Sequence, residues 1–393
     1  MVHFIQLNGV PGKCRAETIP AEPDPDYAGE GIEHSPALVG PATWLPYRPP
    51  LICCGGYTIM LIRAFTLLLV SLASVPAIAQ KAPILTIYTH PSFAAEWGPG
   101  PAVKEAFEQT CNCQINYVVL DSGGDILQRL RLEGKSTQAD LVLGLDTGTM
   151  ETTRQTGLLT NHETDLSVLN LPIDWQDSVF VPYDWGYFAF VYDTEQLPNP
   201  PESLEALIAA PDDLKIIIQD PRTSTPGLGL LLWMRHVYGD QAAAKWQALK
   251  GKILTTTKSW SDGYFSLFMN GEAPMILSYS TSPAYHMAVD KTDRYQAAQF
   301  DEGHYLQVEV AALVKSSDQK ELGRAFLKFM LSADFQRHIP LKNVMYPATD
   351  LGDELPSVFN KLIEPNEALY FDPKTVTGNR RQWLNEWLDA MTR

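Results

Sequence analysis

The sequence is short of positive charge: 30 lysines and arginines stand against 46 aspartates and glutamates, a formal net charge of −16. With no basic stripe to neutralise phosphates, the composition points away from nucleic acid as a partner. An acidic excess is ordinary in soluble proteins; it suits a cationic ligand without requiring one. Cysteine is scarce as well, with 5 in 393 residues. No Cys or His cluster supplies the four ligands of a zinc site, so no metal is expected. The apolar run from Ala64 to Ala73 is too short to cross a bilayer. Residues 80–393 contain no internal repeat and no low-complexity tract.

What is present begins with a secretory signature at residues 60–79. Met60 and the basic Arg63 precede the apolar run, and Ala77-Ile78-Ala79 forms a small-x-small cleavage site, predicting a mature chain from Gln80. No cysteine stands immediately after that site, so a lipid anchor is not expected. Residues 1–59 hold nine prolines and few periodic apolar positions. They read as a disordered upstream extension, translated from a start assigned too early. The chain after residue 79 keeps only Cys111 and Cys113. In an oxidising compartment this close pair predicts a local disulfide, though a ring closed across one residue is strained.

The remaining chain alternates strands and helices. Strands are predicted around Thr86–Tyr88, Ile115–Leu120 and Ala139–Leu145, with helices through Val103–Phe107 and Leu127–Leu130, the latter stopping at Gly134. A second set follows at Lys215–Gln219, Ile253–Thr257 and Pro274–Leu277, with a helix after Pro226. Such βαβ order predicts parallel sheets. Between the sets, Val181 to Phe188 is extended and aromatic, and His304 to Lys315 is a second extended run. We read these as crossovers between two α/β lobes with a ligand cleft between them. Lobe 1 comprises 80–183 with 303–350, lobe 2 comprises 184–302, and helices in 351–393 pack on the lobes. Trp383 and Trp387 stand at helical spacing and are expected in the core.

In open parallel sheets a ligand lies beyond the carboxyl ends of the strands. The loops there hold His90, Asp121 to Gly124, Asp146 to Gly148, Asp220 to Gly227, Ser259 to Ser261 and Ser278 to Ser282. Any one of them reads as an ordinary turn; six together point to a site. Ser224 and Thr225 precede Pro226 at a helix start, which serves equally for plain capping or for holding an anion such as phosphate. Trp260, Tyr279 and Tyr285 would give a planar cation stacking and cation–π energy, roughly 0.5–2 kcal/mol per desolvated contact. They serve equally as core.

From Leu85 to the C-terminus the chain resembles the thiamine-binding proteins of ABC importers, which are type II periplasmic solute-binding proteins. The segments that carry this are Ser92 to Pro101, Cys111-Asn112-Cys113, Arg129 to Arg131 with Glu133-Gly134, and Val142 to Asp146. Asp184 to Tyr192, Gln219 to Met234, Ser280 to His286 and Glu302 to Ala311 extend the match. The resemblance implies a two-lobed periplasmic monomer without cofactor. It would bind thiamine, thiamine monophosphate or thiamine diphosphate and deliver its cargo to a membrane permease driven by an ATPase. It places Ser122, Gly123, Ser224 and Thr225 near the phosphates, and Trp260, Tyr279, Ser280, Thr281, Ser282 and Tyr285 around the rings. The chain departs from the family at His90, where tyrosine is usual, and at Val344, where tryptophan is usual. The acidic residue near Ser122 is also displaced by one position.

Two other classes compete. A thiaminase-like enzyme needs a cleft cysteine and a base, whereas Cys111 and Cys113 lie in a loop entering a strand, at the wrong sheet edge. Carriers of ferric iron use an adjacent tyrosine pair; Tyr279 is followed here by Ser280. A polyamine carrier fits the aromatic and hydroxyl groups less well.

Overall fold

The computed structural model describes residues 82–392. The expectations for the leader, the signal peptide and its cleavage before Gln80 lie outside the described residues.

Why the central strands are strands is plain from their composition. Ile216-Ile217-Ile218 is β-branched and apolar on both faces, as suits a strand covered by helices on each side. Leu141 to Asp146 is buried at every position for the same reason. Twelve strands pair into one twisted array: β1 (Ile84–Thr89), β2 (Gln114–Val119), β3 (Leu141–Asp146), β4 (Leu159–Thr160), β5 (Phe180–Asp193), β6 (Ile216–Gln219), β7 (Ile253–Thr257), β8 (Met275–Tyr279), β9 (Tyr295–Ala297), β10 (His304–Val314), β11 (Tyr346–Pro347) and β12 (Ala368–Leu369). The main path runs β2-β1-β3-β10-β5-β8-β6-β7.

The outer pairs are parallel, β1 with β2 and β3, and β6 with β7 and β8. The two middle strands run antiparallel to their neighbours on that path. The sequence predicted both as extended crossovers, and each is a continuous strand. β5 pairs with β10 as far as Tyr187 and with β8 from Phe188 onward. One uninterrupted strand therefore passes from one half of the fold to the other.

Each half has its own core. Leu85, Ile87, Phe93, Phe107, Phe326 and Phe335 pack together on the β1–β3 side, and Phe190, Ile216, Ile218, Trp233 and Phe300 on the β6–β8 side. Trp383 and Trp387 join the second cluster, as their spacing predicted. They belong to the terminal helix Pro373–Thr392, whose Thr377 Oγ1 lies 3.1 Å from Thr152 Oγ1 on the first half. Cys111 and Cys113 form a disulfide, with Asn112 between them in the left-handed region at φ 50°. The Gly123–Glu133 helix ends on Gly134, also left-handed at φ 55°.

Candidate functional site

The strand ends from both halves meet at one edge. Asp146 closes β3, and Thr225 opens the Thr225–Tyr238 helix that follows β6. Thr225 Oγ1 donates to Asp146 Oδ2 at 3.1 Å. Lys258 Nζ, beyond β7, lies 3.8 Å from Asp121 Oδ2, beyond β2. That second contact is solvated on both sides, and such pairs contribute about 1 kcal/mol or less. Its interest is positional: the β7 exit, which carries Trp260, faces the β2 exit, which carries Ser122. Thr223 Oγ1 donates to Lys258 O at 2.8 Å, tying the β6 and β7 exits together.

The two serines assigned to phosphate behave differently. Ser122 caps its helix: its Oγ accepts from Asp125 N at 3.2 Å and donates to Asp125 Oδ2 at 2.7 Å. Ser224 also occupies an N-cap position, yet its side chain makes no cap hydrogen bond. Plain capping therefore accounts for Ser122 but not for Ser224. The Ser224 hydroxyl, with the first N–H groups of a 14-residue helix behind it, is available to an anion. Gly123 packs so closely that a Cβ there would lie 2.6 Å from Gly144 O.

On the opposite wall Trp260 Nε1 donates to Ser278 Oγ at 2.8 Å, and Ser278 Oγ lies 2.8 Å from Ser282 Oγ. This chain fixes the indole plane from its polar edge. One face of Trp260 stacks on Tyr264, with centroids 4.9 Å apart and planes at 29°. Tyr264 stacks on His286 at 5.9 Å, and the edge of His286 meets Tyr285 at 5.8 Å. Trp260 and Tyr285 thus belong to one ladder, joined through Tyr264 and His286 rather than directly. Tyr279 stands apart from that ladder, packed against Phe188 at 5.2 Å. Ser280 and Thr281 are fully buried. The Ser280 Oγ has no hydrogen-bond partner, while the Thr281 hydroxyl meets Met345 Sδ at 3.9 Å.

Sequence reasoning missed a buried polar cluster on the crossover strands. Glu309 on β10 pairs in register with Asp146 on β3 and with Asp184 on β5. Tyr183 donates its hydroxyl to Glu309 Oε2, and Gln307 Nε2 donates to Glu309 Oε1 at 2.9 Å. His90 Nε2 lies 3.7 Å from Glu309 Oε2 and 3.4 Å from Tyr183 OH, with Ser92 Oγ 2.7 Å from its Nδ1. Asn343 Nδ2 donates to Asp184 Oδ2 at 2.5 Å. Burial and the neighbouring Glu309 charge push Asp184 well above the usual carboxylate range. Burial also raises Asp146, against the hydrogen bond from Thr149. Burial opposes ionisation of Glu309 too, but the His90 imidazole and the Tyr183 hydroxyl outweigh it and hold its carboxyl below the usual range. The available signal was a single acid inside each apolar run, Asp184 in Val181–Phe188 and Glu309 in His304–Lys315.

Val344, beside Asn343, sits in the left-handed region at φ 57°, where a β-branched residue is strained. The departure from the family at this position therefore falls on a tight turn that presents Asn343 to Asp184.

Asp184 makes a testable point about charge. A raised pKa means the folded chain must hold a proton that the unfolded chain releases, so the cost grows as pH rises above the unfolded value. Asp184→Asn is expected to raise the midpoint of thermal unfolding at pH 7.5 by about 2–4 °C, the shift that ~1 kcal/mol makes in a chain of this size. The gain should disappear near pH 4. An unchanged or lowered midpoint at pH 7.5 would mean that Asp184 is ionised in the fold.

Comparison with known proteins agrees with this geometry. Residues 96–337 match the family model for bacterial extracellular solute-binding proteins. A thiamine-binding periplasmic protein of Salmonella typhimurium is 51% identical over 325 residues, covering 83% of this chain and 98% of that one. Its Escherichia coli counterpart is 50% identical over 334 residues, covering 85% and 100%. A solved periplasmic thiamin binding protein superposes with a TM-score of 0.77 at 51% identity, covering 79% of this chain and 97% of that one. A ferric binding protein from Campylobacter jejuni shares the fold, with a TM-score of 0.67 at 16% identity, covering 79% and 100%.

Proposed function

Because the chain belongs to the bacterial extracellular solute-binding proteins, within the thiamine-binding branch, we propose that it captures thiamine and its phosphate esters in the periplasm. It hands them, as a monomer, to the permease and ATPase of an ABC importer. The observation that carries this reading is the opposed pair of walls. A free hydroxyl at a long helix start, Ser224, suits phosphate, and an indole held edge-on by Ser278, Trp260, suits a planar cation. Ser122 and Gly123 border the phosphate end, and Tyr279 to Ser282 with Tyr285 border the rings. Lobe 1 as 80–183 with 303–350, lobe 2 as 184–302 and a bridging tail from 351 belong to the same reading, as does export by a signal peptide cleaved before Gln80.

Ligand favours the closed form through contacts with both lobes, and the closed form is the one a permease would recognise. No catalytic group is assigned. The two candidate cysteines for a thiaminase-like nucleophile, Cys111 and Cys113, are joined in a disulfide.

The test is calorimetric titration of the protein from Gln80 onward with thiamine, its monophosphate and its diphosphate. Submicromolar binding to at least one is expected. Failure of all three, with binding of another small cation, would keep the class and discard the cargo. Thiol-dependent breakdown of thiamine would replace the binding reading with an enzymatic one.

A further inference from the structure

We infer that Glu309 is the charge-selecting residue of the cleft, the carboxylate that makes the site prefer a cationic heteroaromatic ligand over a neutral one of the same shape.

Glu309 stands in the middle of three carboxylates on adjacent strands, with Asp146 on one side and Asp184 on the other. Among the described residues no lysine or arginine forms an ion pair with any of the three, although the Arg380 guanidinium acts on Asp146 and the His90 imidazole on Glu309. Nor do the described residues hold a group of three or more His, Cys, Asp or Glu able to bind a metal. Buried negative charge is costly, and burial shifts Asp146 and Asp184 toward their protonated forms. Glu309 is the member built to stay ionised, with the His90 imidazole 3.7 Å away and Tyr183 and Gln307 both donating to it.

Position sets Glu309 apart as well. Asp184 is wholly buried and Asp146 nearly so, whereas Glu309 keeps 13% of its side-chain surface. It lies between groups from both halves of the cleft. His90, at the exit of β1, approaches from one side. On the other, the Tyr279 ring lies near Gly186, whose Cβ position would be 3.8 Å from Tyr279 Cδ1. Gly186 is the register partner of Gln307, whose amide holds Glu309. Beside Glu309, the buried acceptor Gln307 Oε1 has no hydrogen-bond partner, so the cluster is incomplete without a further group. A ligand whose ring carries a fixed positive charge adds to the partial compensation from His90. Its attraction to Glu309 is strengthened by the low local dielectric. This inference rests on the thiamine reading, whose thiazolium ring carries such a charge.

The experiment compares thiamine with its neutral thiophene isostere, in which carbon replaces the charged ring nitrogen. For the unaltered protein we expect at least tenfold tighter binding of thiamine. Glu309→Gln, which keeps the shape, should weaken thiamine tenfold or more and change the isostere less than threefold. Equal binding of both compounds by the unaltered protein overturns the inference, as does an equal loss for both in the variant. Binding of neither compound by the unaltered protein overturns the thiamine reading instead. Should Glu309→Gln fail to fold, Asp146→Asn and Asp184→Asn decide the matter. Retained preference for the cation in both leaves Glu309 as its source; lost preference in either overturns the assignment.

Discussion

Trp260→Ala is expected to weaken thiamine binding by between tenfold and about a hundredfold, read by titration calorimetry. Two losses combine. The exposed face of the indole is the ring wall of the site, and a cation–π contact in a desolvated pocket contributes up to about 2 kcal/mol. The indole N–H also holds Ser278 Oγ, which in turn meets Ser282 Oγ. Without it a buried hydroxyl pair loses its donor, a cost of roughly 1–3 kcal/mol that falls on the wall itself. Trp260→Phe separates the two, since it keeps a ring and removes only the N–H, and its affinity should fall between the others. Tyr264 stacks on the far face of Trp260, so truncation is expected to lower unfolding temperature only modestly. Wild-type affinity in Trp260→Ala would remove the indole from the site.

The largest effect on stability is expected at Gly144. This residue sits inside β3 at φ 105°, a region closed to side chains, and a Cβ there would fall 2.1 Å from His90 Cδ2. Gly144→Ala therefore carries both backbone strain and a clash with a side chain pinned by Ser92 and close to Tyr183. We expect a loss of about 3 kcal/mol or more, with unfolding lowered by roughly 6–12 °C. A double-mutant cycle with His90→Ala divides the cost. Removing the imidazole should recover the clash but leave the backbone strain, so the double variant should lie between Gly144→Ala and the unaltered chain. No recovery would mean that the strain alone sets the cost. The missing side chain at Gly144 is what leaves room for the His90 imidazole.

Much of the fold was legible in the residues. β7 was predicted at its observed bounds, and β6 and β10 within one residue, because their apolar runs are bounded by turns and glycines. The helix after Pro226 was marked by its capping hydroxyls. Strand direction was less accessible. Alternating βαβ order predicts parallel pairs, but β5 and β10 pair with strands distant in sequence, and that long-range pairing sets them antiparallel. The site divided along similar lines. Trp260, Ser224 and Ser282 follow from the rule that ligands lie at strand exits. Glu309 and Asp184 lie inside strands rather than beyond them, so that rule passes over both. Their importance comes from register, which places three acids from distant parts of the chain side by side. The resemblance to thiamine-binding proteins carried the cargo assignment, which no residue pattern reaches alone.

The place of β10 in the sheet has a consequence for how the chain acquires its shape. β3 and β5 both have β10 as a neighbour, yet every strand from β6 to β9 is synthesised before it. Until residues 304–314 arrive, β3 and β5 have unsatisfied edges, and the row of acids on three strands does not exist. Closing that gap brings together segments far apart in sequence, which makes the step slow relative to the local βα units. The β6–β8 core also takes in Tyr305 of β10 and the terminal Trp383 and Trp387, so neither half can complete its core before that strand arrives. Open strand edges in that interval invite pairing with other chains. Assembly of the ligand cleft accordingly waits on residues 304–314 rather than coming early.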